Sequence, residues 1–157
     1  MTYDFHRKWL AKKFEEIKTR TLKAIRQLDD ERLNRSLDDV SHTIPTLLRH
    51  IEGNIDERIR RGMFGEDITR DREREFRREF MPLADAESLV LRNMDYVIGQ
   101  IRSLPDAVFE ETQLVRGKER SNLDMLHQCA AHFSEHMGQI LYVSKHLLQK
   151  EYRSTSI

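Results

Sequence analysis

Four stretches of the chain repeat their apolar residues at the spacing of an amphipathic helix, and this periodicity limits the folds open to it more than any other feature. The predicted helices run from about Asp4 to Leu28, from Ser41 or Thr43 to Arg61, from Asp85 to Leu104, and from Ser121 to Gln149. Only six glycines and three prolines interrupt 157 residues. The pattern predicts an all-α protein, a four-helix bundle that forms one domain over residues 1–157.

The segments between the helices give weaker signals. Residues Glu66 to Glu79 contain six acids and five bases, so we expect a long charged connection between helices 2 and 3, solvated and held by Phe76 and Phe80. Residues 108–116 favour an extended conformation. Neither segment changes the predicted helical class.

Charge and composition exclude several kinds of function. The 27 Lys and Arg residues balance 27 Asp and Glu residues, which argues against a nucleic-acid binder that works by counterion release. The apolar runs are too short for a membrane span or a signal peptide. The single cysteine favours a reducing compartment, and we expect a cytoplasmic protein.

Seven histidines remain to be explained, and their helix faces divide them. His132 and His136 lie one turn apart at the margin of the apolar face of the last helix, and His50 lies at the margin of the second. Three others fall on polar faces and are predicted to be surface residues: His42, His127 and His146. The position of His6, at the edge of the first helix, leaves its role open.

Two histidines at i and i+4 on one helix can both reach a single divalent ion, and a third from a facing helix completes a three-histidine site with an open position. The spacing also arises by chance in a histidine-rich chain, so core or rim histidines are the competing interpretation. Cys129 can be a fourth ligand or a packed thiol, and Asn54 a donor to the site or an interhelical hydrogen bond.

The residues around these histidines resemble a known family. The segment His132-Phe133-Ser134-Glu135-His136-Met137-Gly138-Gln139-Ile140 is similar to the last-helix signature of the DinB-like (DinB/YfiT) metalloprotein superfamily, and the segment Leu47 to Ile55 resembles its second-helix histidine motif. The segments Arg70 to Phe76 and Val115-Arg116-Gly117 resemble a branch whose members are largely uncharacterised.

The resemblance implies a four-helix bundle, commonly a homodimer, in which His50, His132 and His136 hold one zinc or nickel ion. Some relatives are transferases or isomerases that use low-molecular-weight thiols. Met137, which follows the last histidine, stands where many relatives have a polar or basic residue. The resemblance therefore supports the metal site more strongly than it supports any particular substrate.

These observations predict a metal-dependent enzyme that acts on a small molecule, with no catalytic residue assigned. A bound ion lowers the pKa of a thiol or of water, so thiol S-transfer and hydrolysis both stay open. There is no His-Glu-x-x-His sequence of the zinc-protease kind, and Glu135 is predicted to face solvent. The rival hypothesis is a non-catalytic helical interaction module whose histidines are structural.

Overall fold

The computed structural model describes residues 2–157 and is mostly helical. Its helices are α1 (Asp4–Ile25), α2 (Asp30–Asn34), α3 (Ile44–Ile55), α4 (Gly62–Phe64), α5 (Arg72–Glu75), α6 (Leu83–Ser103), α7 (Asp106–Glu110) and α8 (Asn122–Leu148). A π-helical segment, Asp56–Arg61, joins α3 to α4, and a 3₁₀ turn, Gln149–Glu151, follows α8. Two strands, β1 (Thr112–Val115) and β2 (Lys118–Ser121), lie between α7 and α8.

Four long helices carry the core, in the places that the apolar periodicity predicts. Helix α1 packs against α6 and α8, and α3 packs against the same two helices. The largest fully buried side chains come from these elements and their flanks, and they include Phe14, Ile25, Leu48, Ile55 and Phe133. Among residues 2–157, no helix is both long enough and apolar enough to cross a bilayer.

Local capping explains where two of the long helices, α3 and α8, begin. The Thr43 hydroxyl accepts a hydrogen bond from the Thr46 amide at 3.3 Å, which confirms one of the two predicted caps of α3. The Ser121 hydroxyl likewise accepts from the Asp124 amide at 3.1 Å and begins α8. Both caps use short polar side chains in extended backbone.

Helix α6 begins two residues before the predicted cap, Asp85. The Asp30 carboxylate accepts the hydrogen bond of the Leu83 amide at 2.8 Å, so a side chain from α2 satisfies the start of α6. The carbonyl of Pro82 accepts from the amides of Asp85 and Ala86 at 3.0 Å. The start is therefore fixed by a tertiary contact that no local pattern reveals.

The segment predicted as extended, residues 108–116, is helical in its first part and forms a β-strand from Thr112. Strands β1 and β2 form an antiparallel hairpin in which Val115 pairs with Lys118 across a two-residue turn. The turn residues Arg116 and Gly117 both have positive φ, 50° and 77°. This hairpin is the one departure from an all-α protein among the described residues.

The charged connection is largely exposed, as expected, but two of its predicted details are wrong. Phe80 is 64% exposed and does not hold the connection to the core. Phe76 does contact it, because its ring centroid lies 4.8 Å from that of His42 and 4.9 Å from that of His50, tilted in both cases. More importantly, Glu75 is buried, with 6% of its surface exposed. A carboxylate from the segment predicted to be solvated therefore lies inside the molecule.

Candidate metal centre

The structure brings together the three histidines that the helix faces select. His50 projects from α3, and His132 and His136 project from successive turns of α8. One ring nitrogen of each lies within 4.8 Å of the other two. The ring of His50 lies 5.2 Å from that of His132 and 4.9 Å from that of His136, edge to face in both cases.

The spacing of these nitrogens suits a single small cation. Around a tetrahedral zinc with bonds of 2.0–2.1 Å, ligand nitrogens stand about 3.3 Å apart. Here Nε2 of His132 and Nε2 of His136 are 2.8 Å apart, and no pair in the cluster exceeds 4.8 Å. Small side-chain rotations bring all three nitrogens to coordinating distance, so the cluster can hold a metal ion.

Hydrogen bonds on the far side of two rings fix which nitrogen faces the cluster. Nδ1 of His50 donates to Oε2 of Glu75 at 2.9 Å, because an ionised carboxylate only accepts. Nδ1 of His136 lies 2.7 Å from Oε1 of Gln139. Both rings therefore present the lone pair of Nε2 inwards, which is the tautomer that a metal needs.

The carboxylate behind His50 is itself held in place. Arg70 donates to Oε1 of Glu75 through Nε at 2.5 Å and to Oε2 through Nη2 at 2.9 Å, and its Nη1 reaches Glu57 at 2.5 Å. The side chains of Glu75 and Arg70 are 7% and 14% exposed. A carboxylate bound by a forked guanidinium has little rotational freedom, and it orients the imidazole that donates to it.

Gly53 makes room for this carboxylate. A Cβ at this position would stand 1.9 Å from Oε1 of Glu75 and 2.6 Å from its Cδ, far closer than any allowed contact. Glycine in a helix interior costs about 1 kcal/mol relative to alanine, so its presence in α3 needs a packing reason. The close approach of Glu75 supplies that reason.

Burial lowers the proton affinity of the cluster. The pKa of His132 falls to about 4, chiefly through desolvation and then through its neighbours His136 and His50. Desolvation also lowers the pKa of His50, against the opposing effect of Glu75. Both imidazoles are therefore neutral at pH 7, as metal ligation requires.

The structure places the three residues whose roles the sequence leaves open, Asn54, Cys129 and His6. Asn54 lies beside the site: its Nδ2 donates to the carbonyl of His50 at 2.9 Å and is 3.3 Å from Nε2 of the same ring, whose lone pair a bound ion would take instead. Cys129 lies outside the three-residue cluster, and burial raises the pKa of its thiol to about 12, so it stays protonated. His6 lies elsewhere and pairs with His127 at 3.0 Å.

The remaining histidines partly follow the prediction. His42 and His146 are exposed, as their polar faces indicate. His127 was predicted to be a surface residue, but it is half-buried between His6 and Trp9, whose ring lies 5.2 Å away. The N-terminal part of α1 covers it, and that covering depends on tertiary packing rather than on the face of α8.

The comparisons place the chain in a family. The model of the family described as "Protein of unknown function (DUF1572)" matches residues 4–157. The chain belongs to the DUF1572 family. Searches of curated proteins and of solved structures found no significant match. DUF1572 membership thus covers nearly the whole chain and assigns no reaction to it.

A Gly53→Ala substitution, which adds one methyl group, tests the role of Gly53 in this DUF1572 protein. Gly53→Ala is expected to displace Glu75 and weaken zinc affinity about 10–100-fold, the usual cost of losing a hydrogen-bond partner of a metal ligand. Competition against a chromophoric chelator measures the affinity. Gly138→Ala on α8, whose Cβ meets nothing within 4 Å, is the matched control. Equal affinities for the two variants would contradict the role given to Glu75.

The lowered histidine pKa values predict a direction of pH dependence. Because the pKa of His132 is about 4 in the fold and about 6.5 when unfolded, the unfolded chain binds more protons between these values. The contribution of His132 to the free energy of unfolding of the metal-free protein is therefore fully present above pH 6.5 and is lost as the pH drops toward 4. Denaturant unfolding at several pH values checks this, and His132→Gln should flatten the slope. A wild-type slope equal to that of the variant would be inconsistent with a buried neutral His132.

Proposed function

We propose that this protein is a DinB-like four-helix bundle that binds one divalent metal ion, zinc or nickel, through His50, His132 and His136, and that it is a metal-dependent enzyme. The observation that carries the proposal is the convergence of three ring nitrogens within 4.8 Å, one of them oriented by a buried carboxylate. The packing of α1 and α3 against α6 and α8 supports the bundle.

A metal accounts for the cluster better than a role in packing. Without an ion, Nε2 of His132 and Nε2 of His136, 2.8 Å apart, form a hydrogen bond in which one neutral ring donates to the other. That bond does not include His50, whose ring lies 5.2 and 4.9 Å from the other two. A shared cation satisfies all three rings at once, and Glu75 favours it by adding negative charge behind His50.

The residues around the ion favour a thiol over water as the nucleophile. When bound, an ion with three neutral histidines and an open position lowers the pKa of a thiol or a water placed there. Hydrolysis also calls for a carboxylate or imidazole that moves protons, but Glu75 is fully engaged by His50 and Arg70, and Glu135 is exposed. A thiol held there would release its proton to solvent, and the thiolate would form its new S–C bond as the leaving group of the electrophile departs, so the attack itself needs no protein base.

The thiol must come from the substrate. Cys129, with a pKa of about 12 and nearly complete burial, is a poor nucleophile. We therefore propose a low-molecular-weight thiol as co-substrate and S-transfer to an electrophile as the reaction, with metal-dependent hydrolysis as the alternative. A homodimer in the reducing cytoplasm completes the proposal.

Metal analysis of protein purified without a nickel column tests the proposal. We expect one zinc or nickel ion per chain in the wild type, and His50→Ala and His136→Ala should each lower the content below one tenth, because two imidazoles hold a divalent ion weakly. Elemental mass spectrometry gives the stoichiometry.

The same measurement includes its own controls. His127→Ala and His146→Ala remove histidines outside the cluster and should leave metal content unchanged. A wild-type protein that takes up negligible zinc, nickel or cobalt, with no loss of uptake in His50→Ala or His136→Ala, would overturn the metalloprotein proposal and favour a helical interaction module with structural histidines.

A further inference from the structure

A second feature adjoins the metal centre, a cavity of about 520 Å³ that opens beside His132 and Asn54. Four of its ten lining residues are cationic, namely Arg58, Arg116, Lys118 and Arg120. None of the described residues that line it is acidic. In a chain with equal numbers of acids and bases, this concentration of one sign is a local specialisation.

Most of this positive charge is not neutralised by the protein. Arg120 forms an ion pair with Asp124 at 2.8 Å. Within residues 2–157, no carboxylate comes within 4.0 Å of the cationic groups of Arg58, Arg116 or Lys118. Like charges gathered around a cavity repel one another, and a bound anion removes that repulsion.

The backbone at two of these cations is irregular. Arg116 occupies the first position of a two-residue hairpin turn with φ of 50°, where asparagine or glycine is usual and a longer side chain is strained. Arg58 lies in the π-helical segment, a rare helix form that is frequent at functional sites. Two of the four cations that line the cavity therefore stand on irregular backbone.

The hairpin that carries these cations is fixed to the site. The buried side chain of Gln113 in β1 donates to the carbonyl of Arg58 at 3.0 Å and to Oδ1 of Asn122 at 3.0 Å. Gly62 leaves the space for it, because a Cβ there would stand 2.2 Å from Oε1 of Gln113. The four cationic residues Arg58, Arg116, Lys118 and Arg120, here called the cationic wall, are thus carried by backbone that is held in place beside the cavity.

We infer that the substrate of the metal centre is a small organic anion, whose carboxylate or phosphate groups are bound by Arg58, Arg116 and Lys118 while its reacting end lies beside His132. This inference rests on the proposed function, since it assigns a substrate class to that site. Arginine forks and lysine ammonium groups both bind such oxyanions, and the cavity holds a molecule of metabolite size.

The test separates anion binding from metal binding by using chelator-treated, metal-free full-length protein. Inorganic phosphate and succinate are titrated in parallel while the backbone amide signals of residues 116–118 are followed by NMR. We expect saturable binding of at least one of the two, weakened about five-fold or more in Lys118→Gln and in Arg116→Asn. Lys145→Gln, an exposed cation on α8 outside the cavity, is the matched control.

The Arg116→Asn variant also distinguishes a loss of anion binding from a loss of folding. Because asparagine tolerates positive φ, this variant should unfold at the same temperature as the wild type or higher, yet bind the anion more weakly. Equal binding by wild type, Arg116→Asn and Lys118→Gln, or no saturable binding, would overturn the inference even if metal content is one ion per chain. Affinity for single-stranded oligonucleotides that grows with their length would overturn it as well.

Failure of the metal site leaves a different signature. If the wild type binds no metal but its cavity binds phosphate or succinate through Arg116 and Lys118, the proposed reaction falls, and with it the assignment of the anion as the substrate of a metal centre, while the cavity remains an anion-binding site. The two proposals are therefore judged by independent readouts.

Discussion

The hydrogen bond from His50 to the buried carboxylate of Glu75 is the contact on which the rest of the site depends. It joins the charged connection to α3, sets the tautomer of His50 and turns its free nitrogen toward α8. A buried carboxylate is costly to desolvate, and this one is stable because Arg70 forks onto it and His50 donates to it. Breaking such a pair by removing one partner typically costs about 3–5 kcal/mol. Holding one metal-binding nitrogen of His50 in place is the function that we propose for this arrangement.

Two halves of the site follow from this contact, and they use different kinds of structure. The three clustered histidines stand on long, well-packed helices, which fix the positions of their ring nitrogens. The cations beside the cavity come from a π-helical segment and a tight hairpin. Regular elements thus carry the candidate ligands, and irregular ones line the space where a substrate would lie.

The amino-acid sequence predicts which three histidines cluster because helical periodicity is local. His132 and His136 share a margin of α8 by their spacing alone, and His50 lies at the margin of α3 for the same reason. Glu75 was missed because alternating charges in residues 70–75 have no periodicity that marks one of them as buried. The available signal was Gly53, a glycine inside an apolar helical pattern one turn from His50. Strand β1 lies within the segment predicted as extended, but the sequence pattern predicts neither its partner β2 nor the helix α7 before it.

X-ray absorption spectroscopy of the zinc-loaded protein tests whether His50, His132 and His136 share one ion. We expect three imidazole nitrogens at about 2.0–2.1 Å and one exchangeable oxygen ligand in the remaining position. A sulfur scatterer at about 2.3 Å in the absence of added thiol would instead bring Cys129 into the coordination sphere and contradict a three-histidine site. A spectrum that does not change in His50→Ala would contradict it equally, since the ion would then be bound elsewhere.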